Sequence, residues 1–206
     1  MKKTLYTALM GVFALLAFTA CSKSDDDTSK YENLPNEVKS IVSFDVLKKL
    51  EASGMVINLG TTPPNIEGSY SVAPFELEFT DVPDPVYVPG YVITGYQYRF
   101  YDQKGVNVKT DYENKDIFAQ EKALGKGTII SGSGNKFTVF MEVDGEHIGE
   151  ATYKNLALLS GEVTPQGIKN FKYGFYMMQK DDPYEKLMPV GATRIWFDND
   201  FLSERL

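Results

Sequence analysis

Residues 136–148, KFTVFMEVDGEHI, carry the clearest structural signal of the chain. Apolar side chains occupy every second position from Phe137 to Val143, and this period of two is typical of a β-strand with one buried face. The Asp144-Gly145 pair that follows is a strong signal for a two-residue hairpin turn. We therefore predict a hairpin at these two residues. The facing pairs would be Val143 with Glu146, Glu142 with His147, and Met141 with Ile148.

The β pattern continues on both sides of this stretch. Alternating apolar residues predict strands at residues 75–79 and 96–100, and further strands are predicted at residues 127–131 and 191–197, the latter being the last. The sequence pattern of residues 129–140 recurs weakly in residues 158–175, which indicates successive β-hairpins. We predict an all-β, mainly antiparallel domain whose sheet closes or stacks to cover its edges.

A short helix precedes the strands. Ser43 is a plausible helix cap, Leu47 and Leu50 fall on one face, and Gly54 stands where a helix C-terminal glycine belongs. A shorter helical turn is predicted to start at Pro35. Prolines and glycines interrupt residues 60–68 and 81–90, which are therefore predicted to be loops.

The amino-terminal segment is typical of a targeting signal. Lys2 and Lys3 precede residues 5–20, a run of 16 uncharged residues that is shorter than a membrane-spanning helix needs. The sequence Phe18-Thr19-Ala20-Cys21 resembles a bacterial lipobox, with Phe18 where leucine is usual. The resemblance implies that the Cys21 thiol is diacylated and that the chain is cut before it. A plain secretory signal with an incidental cysteine is the alternative.

An acidic run follows the cysteine. Ser24, Asp25, Asp26 and Asp27 resemble the export tag of surface lipoproteins in Gram-negative gut anaerobes. This resemblance implies an outer-membrane lipoprotein that faces the cell exterior, although a solvated tether explains the same charges. We predict a signal peptide at residues 1–20, an acylated Cys21 with a flexible tether at residues 21–33, and one β-rich domain at residues 34–206.

Composition excludes several functional classes. The formal net charge of −7 is the wrong sign for a general nucleic-acid binder. One Cys and one His, His147, exclude disulfide scaffolds, Cys-rich zinc sites and multi-His metal cages within one chain. We predict no cofactor and no metal site. Glu76 and Glu78 are the best paired carboxylates for catalysis, but glutamates are also typical of the solvent face of a strand.

The order of elements resembles the lipocalin or calycin group over residues 60–198. The residues that carry the resemblance are Gly68-Ser69-Tyr70, which open the first strand, and Arg194 late in the chain. Tyr70 stands where the family usually has tryptophan, and the only tryptophan is Trp196. The resemblance implies a closed barrel or meander in which Tyr70 closes the floor and Arg194 packs across it, with Trp196 nearby. Residues 57–70 also resemble uncharacterised surface lipoproteins.

Tyrosines cluster in the middle of the chain. Because Tyr combines a flat apolar face with a hydroxyl, it suits sugar rings and small amphipathic ligands, although half-buried strands also favour it. The candidate ligand-binding residues are Tyr87, Tyr91, Tyr96, Tyr98, Tyr101 and Tyr173.

We predict a surface-anchored, non-enzymatic protein that binds a small apolar or glycan ligand inside a barrel. The alternative is a module that docks a protein or host surface, and a carboxylate-dependent hydrolase is third. An internal cavity would favour the first hypothesis, and a filled interior with an exposed apolar patch would favour the second. Carboxylates that converge in one cleft would favour the third.

Overall fold

The computed structural model describes residues 29–114, 122–147 and 151–206. A 3-10 turn at Lys30–Asn33 is followed by helices α1 (Asn36–Ile41) and α2 (Phe44–Ala52). The strands are β1 (Gly68–Val72), β2 (Phe75–Thr80), β3 (Val92–Ile93), β4 (Tyr96–Lys104), β5 (Asn107–Asn114), β6 (Lys122–Ser133), β7 (Lys136–His147), β8 (Ala151–Val163), β9 (Gly167–Asp181), β10 (Thr193–Asp198) and β11 (Leu202–Arg205).

The strands form one antiparallel sheet that closes on itself. Each strand from β4 to β9 pairs with the next along the chain, and β11 pairs with both β9 and β1, which in turn pairs with β4. The ring therefore contains eight strands, β11-β1-β4-β5-β6-β7-β8-β9, without a free edge. This confirms the predicted all-β closed meander with a short amino-terminal helix.

Three positions in the barrel wall are each occupied by two consecutive strands: β1 and β2, β3 and β4, and β10 and β11. The pairing of β1 with β4 continues in that of β2 with β3, since Val72 faces Tyr96 and Phe75 faces Ile93. In the same way β10 and β11 pair with successive parts of β9. The end at which β2, β5, β7 and β9 finish, here called the upper end, carries the loops at residues 81–91 and 182–192.

Two apolar cores lie on opposite faces of the sheet. On β8, Ala157 and Leu159 belong to the core inside the barrel, whereas Leu156 and Leu158 belong to a second core on its outer face. Leu47 and Leu50 of α2 pack in that outer core. The predicted cap is confirmed, because the Ser43 side chain accepts a hydrogen bond from the backbone N–H of Val46.

The predicted boundary between tether and domain at residue 33 is too late in the chain. Tyr31 is 1% exposed, its ring stacks on Phe44, and its hydroxyl donates a hydrogen bond to Glu51. The 3-10 turn that carries Tyr31 is thus part of the folded domain. One aromatic residue in a polar segment gives too weak a periodic signal to reveal this.

The predicted hairpin at Asp144-Gly145 is wrong. Both residues lie within β7, where Asp144 faces Lys154 and Gly145 faces Tyr153 of β8. A Cβ atom at position 145 would overlap the ring of Tyr153, so the missing side chain makes room for an aromatic ring that crosses the strand. The strand continues to His147 because the pairing with β8 outweighs the local turn preference.

The strand predicted at residues 191–197 is not the last. β10 covers Thr193–Asp198, a turn follows at residues 199–200, and β11 completes the ring. β11 has only four residues and little apolar alternation, which explains why pattern analysis misses it. Within residues 29–114, 122–147 and 151–206, no helix is long and apolar enough to cross a membrane.

Candidate functional site

Aromatic rings fill the inside of the barrel. Tyr98 is 2% exposed, and its ring centroid lies 5.2 Å from that of Phe171 and 6.4 Å from that of Phe100. Tyr96 packs edge-on against Phe75 at 5.8 Å. Tyr173 lies 6.3 Å from the same Phe75 ring. The predicted ligand-binding residues Tyr96, Tyr98 and Tyr173 therefore pack with other core residues of the barrel.

Tyr70 closes the lower end with a different arginine from the one predicted. The guanidinium of Arg205 lies 4.9 Å from the Tyr70 ring centroid, and its Nη2 donates to the Tyr70 hydroxyl at 2.6 Å. Gly68 makes room for this group, because a Cβ there would overlap the guanidinium. Burial raises the pKa of the Tyr70 hydroxyl, and the neighbouring Arg205 partly offsets the rise. Arg194 lies on β10 near the opposite end.

Arg194 instead holds residues 81–91, here called the aromatic loop. Its guanidinium lies 4.4 Å from the Tyr87 ring centroid, and its Nη2 donates to the Asp84 carboxylate at 2.9 Å. Tyr87 and Tyr91 contact each other edge-on at 5.2 Å, and both rings contact Trp196 at 6.3 and 6.5 Å. Trp196 in turn stacks on Phe75 at 5.5 Å. The aromatic loop thus packs on the upper end of the barrel core.

Backbone hydrogen bonds fix the same loop. Asp84 Oδ1 accepts from the N–H groups of Val86 at 2.8 Å and Tyr87 at 3.0 Å. These two bonds, followed by the charge of Arg194, lower the pKa of the Asp84 carboxyl. Leu77 of β2 donates to the Tyr91 carbonyl and accepts from the Gly90 N–H. The loop is therefore tied to β2 at its base and capped at its tip.

The tip of the aromatic loop exposes apolar side chains. Val86 is 51% exposed and Val88 is 49% exposed, while Val92, just after the loop, is 46% exposed. Tyr87 keeps 36% of its surface exposed in spite of its contacts with Arg194 and Trp196. The structure thus brings Tyr87, Tyr91, Arg194 and Trp196 together around an apolar tip, a grouping that sequence spacing alone did not predict.

Tyr101 does not belong to this group. It lies under the guanidinium of Arg99 at 4.7 Å and donates a hydrogen bond to Asp111 at 3.1 Å. Lys109 also approaches its ring, at 5.7 Å. These charged partners explain its position without a ligand, so the cluster of tyrosines in the sequence occupies three separate environments.

The carboxylates proposed for catalysis have structural partners. Glu78 forms a 2.6 Å ion pair with Lys172, and Glu76 accepts a hydrogen bond from the side chain of Asn199 at 2.9 Å. In the described part of the chain, no three Cys, His, Asp or Glu residues are arranged to hold a metal ion. Asp198 is fully buried, and its carboxyl group accepts a hydrogen bond from the Ser203 hydroxyl at 2.6 Å. Burial raises its pKa to about 6.

An open cleft of about 420 Å³ lies at the upper ends of β7, β8 and β9. The residues that line it include Asp144, Gly145, Tyr153, Lys154, Gln179 and Lys180. Sequence analysis misses this cleft, because it depends on the register of three strands that are distant along the chain. The only local hint was Asp144-Gly145, which we interpreted as a turn.

Cys21, the acidic run at residues 24–27 and the side chain of His147 lie outside the described residues. The predictions made for them therefore remain predictions. The chain matches no protein-family model, no curated protein and no solved structure.

Proposed function

We propose that this protein is a lipid-anchored, non-enzymatic docking protein on the outer membrane, which binds a partner protein on the cell exterior through the aromatic loop. The observation that carries the proposal is the exposure of Val86 and Val88 on a loop that Asp84 and Arg194 hold in one conformation. Exposed apolar groups that cluster on a surface mark sites of interaction.

The fixed conformation of the aromatic loop supports docking. A flexible loop loses conformational freedom when it binds, and that loss weakens the complex. Here Tyr87 already packs against Trp196 and Arg194 in the free protein, so the loop loses little further conformational freedom when a partner binds. A partner would bury the valines against an apolar surface. Removal of the signal peptide with Lys2 and Lys3 would change the formal net charge from −7 to −9, which favours a partner whose surrounding surface is neutral or basic.

The filled interior favours docking over the first hypothesis from the sequence. A small apolar or glycan ligand would need room around the ring of Phe171, whose centroid lies 5.2 Å from that of Tyr98 and 6.5 Å from that of Phe75. The ion pair of Glu78 and the hydrogen bond of Glu76 likewise give little support to the hydrolase hypothesis.

The proposal of a lipid anchor rests on the amino-terminal sequence. Acylation of Cys21 would fix the chain to the membrane eight residues before Ser29, where the described structure begins. Two or three acyl chains anchor stably, since each buried methylene contributes about 0.8 kcal/mol. The acidic residues Asp25, Asp26 and Asp27 would then direct the anchored protein to the cell surface.

Site-specific photo-crosslinking on intact cells tests the proposal. A photoreactive amino acid replaces Val88, and the matched control carries it at Val56, which is 48% exposed and lies just after α2. We expect a protein adduct of defined mass from position 88 and none of that mass from position 56. Val86→Ser with Val92→Ser should weaken the adduct without changing the melting temperature, since exposed substitutions seldom affect stability by more than about 0.5 kcal/mol.

Two results would contradict the proposal. One is that positions 88 and 56 give the same products or none, which would mean that the loop has no dedicated partner. The other is that Cys21→Ala leaves the protein in the membrane fraction, which would remove the lipid anchor from the proposed function.

A further inference from the structure

We propose that Phe201 and its apolar neighbours form a second docking site, where the Phe201 ring enters an apolar pocket of a partner protein. The site consists of Phe197, Phe201 and Leu202 and is here called the β10–β11 patch. It follows β10 at the end away from Arg194, which holds the aromatic loop. The patch is therefore separate from that loop and does not depend on docking by it.

The ring of Phe201 is largely in contact with water. Phe201 is 58% exposed, and its ring centroid lies 6.0 Å from that of Phe197. Phe197 and Leu202 are each half-buried, so three neighbouring apolar residues keep exposed area. Burial of apolar area is the main favourable contribution to most protein–protein association.

The patch lies on the outer face of the barrel. Trp196 belongs to the interior core, so the next residue along β10, Phe197, points outward. On β11, Ser203 faces Ile168 of the same core, and Leu202 therefore points outward as well. A partner can reach these side chains from outside without opening the barrel.

The backbone at Phe201 adopts a conformation that favours other residue types. Its φ angle is +65°, in the left-handed region, where a β-carbon crowds the backbone and where glycine, asparagine or aspartate is usual. The chain thus carries an aromatic ring at a position that strains the backbone and leaves the ring exposed. Strain of this kind is concentrated at functional sites, which favours a role for the ring beyond the fold.

Hydrogen bonds fix the turn that carries the ring. The N–H group of Phe201 donates to the Asp198 carbonyl at 3.1 Å, and the Phe201 carbonyl accepts from the N–H group of Asn170 on β9 at 3.1 Å. The Leu202 N–H group donates to Asp200 Oδ1 at 3.0 Å. Because the backbone is held on both sides of the ring, the turn loses little conformational freedom when a partner binds.

The charged groups beside the patch include more carboxylates than cations. Asp200 and Glu204 lie two residues before and two residues after Leu202, and both are exposed. Lys169, also exposed, faces Leu202 on β9. Two carboxylates against one ammonium group give this surface a net negative charge.

Two further cations near the patch are bound within the fold. Arg205 donates to the Tyr70 hydroxyl at 2.6 Å, and Lys172 forms a 2.6 Å ion pair with Glu78. Opposite charges across an interface favour association, and like charges oppose it. We therefore expect a partner protein whose apolar pocket has Lys or Arg at its rim. The same negative charge disfavours an acidic lipid surface.

Site-specific crosslinking with the full-length protein on intact cells tests the patch. A photoreactive phenylalanine replaces Phe201, and in the matched control it replaces Tyr184, which is 69% exposed on the loop at residues 182–192. We expect a protein adduct of defined mass from position 201 that position 184 does not form. Mass spectrometry should map it to apolar residues beside Lys or Arg. The proposal is overturned if only lipid adducts form, if both positions give the same products or none, or if the mapped surface lacks Lys and Arg.

Phe201→Asn separates binding from folding, since asparagine tolerates a positive φ angle and lacks the ring. By calorimetric titration, its affinity for the purified crosslinked partner should be at least about tenfold lower, with a melting temperature equal to or above that of the wild type. Glu204→Lys should weaken binding at least about threefold, whereas Tyr184→Asn should stay within about twofold. Unchanged affinity of Phe201→Asn overturns the proposal. So does a melting temperature lower by about 5 °C or more, because the ring would then serve the fold.

A double substitution tests the independence of the two docking sites. Val86→Ser with Val92→Ser, which should weaken docking by the aromatic loop, should leave the adduct from position 201 unchanged. Loss of that adduct would make the patch part of the aromatic-loop site and would overturn the inference of a second one.

Discussion

Single residues decide how the two ends of the barrel are closed. The family resemblance implied that Tyr70 and Arg194 meet at the lower end of the barrel. Tyr70 is fully buried, and its hydroxyl accepts a hydrogen bond from an arginine. Its cation is Arg205 rather than Arg194, because the register of β1 with β11 places Tyr70 directly opposite Arg205. Such a register depends on pairing between distant segments, which spacing along the chain does not reveal.

Asp198 gives the protein a measurable dependence of stability on pH. Burial raises its pKa to about 6, so the fold binds a proton more tightly than the unfolded chain does. Its stabilising contribution is therefore complete below pH 4 and is lost as the pH rises to 6. The loss should amount to roughly 1–2 kcal/mol after allowance for solvent screening.

Asp198→Asn should remove this contribution to the pH dependence, since an amide keeps a hydrogen bond to Ser203 without a charge. Urea unfolding at pH 4.5 and pH 7 measures the difference between variant and wild type. Glu204→Gln changes an exposed side chain on β11, the next strand along the chain. It is the control and should keep the wild-type dependence of the unfolding free energy on pH. An unchanged slope in Asp198→Asn would show that Asp198 titrates normally.

Among the elements, those with strong local patterns were predicted well. The alternation at Phe75–Thr80 and Tyr96–Lys104 and the capped helix Phe44–Ala52 all appear in the structure. The errors occur where distant pairing decides the outcome, as at Gly145, where Tyr153 of β8 keeps the strand extended. The same holds for the residues around the aromatic loop. Tyr87 and Tyr91 were predicted as ligand-binding residues and Arg194 and Trp196 as barrel-closing residues, but the contacts among the four were not predicted.

The aromatic loop should lose its order when its cap is removed. Asp84→Ala frees the N–H groups of Val86 and Tyr87 and breaks the ion pair with Arg194. We expect amide hydrogen exchange within residues 84–88 to quicken by more than about tenfold, since local opening then breaks fewer bonds. Exchange in β8 should not change. Equal protection of the loop in variant and wild type would mean that packing on Trp196 alone holds it.

For the molecule as a whole, the closure of the ring depends on β11, the short strand at the carboxy-terminal end. β11 joins β9 to β1, so its loss would leave two unpaired strand edges. The sequence predicted that the sheet must close or stack, but the strand that closes it carries almost no pattern of its own.

Deletion of residues 202–206 should therefore destabilise the entire barrel. We expect the melting temperature to fall by about 10 °C or more, with aggregation on heating, because the core around Tyr70 loses Arg205 and Ser203. Deletion of Leu206 alone, which is 66% exposed, should have little effect. Calorimetry compares the two. Similar melting temperatures for both truncated proteins would show that β1 and β9 close the barrel without β11.

The position of Trp196 makes the protein its own optical reporter. It is the only tryptophan, and it touches Phe75 inside the barrel and Tyr87 and Tyr91 in the aromatic loop. Light absorbed by the adjoining tyrosines is emitted from this one indole. Its fluorescence therefore responds to opening of the loop and to melting of the barrel, and no dye needs to be attached.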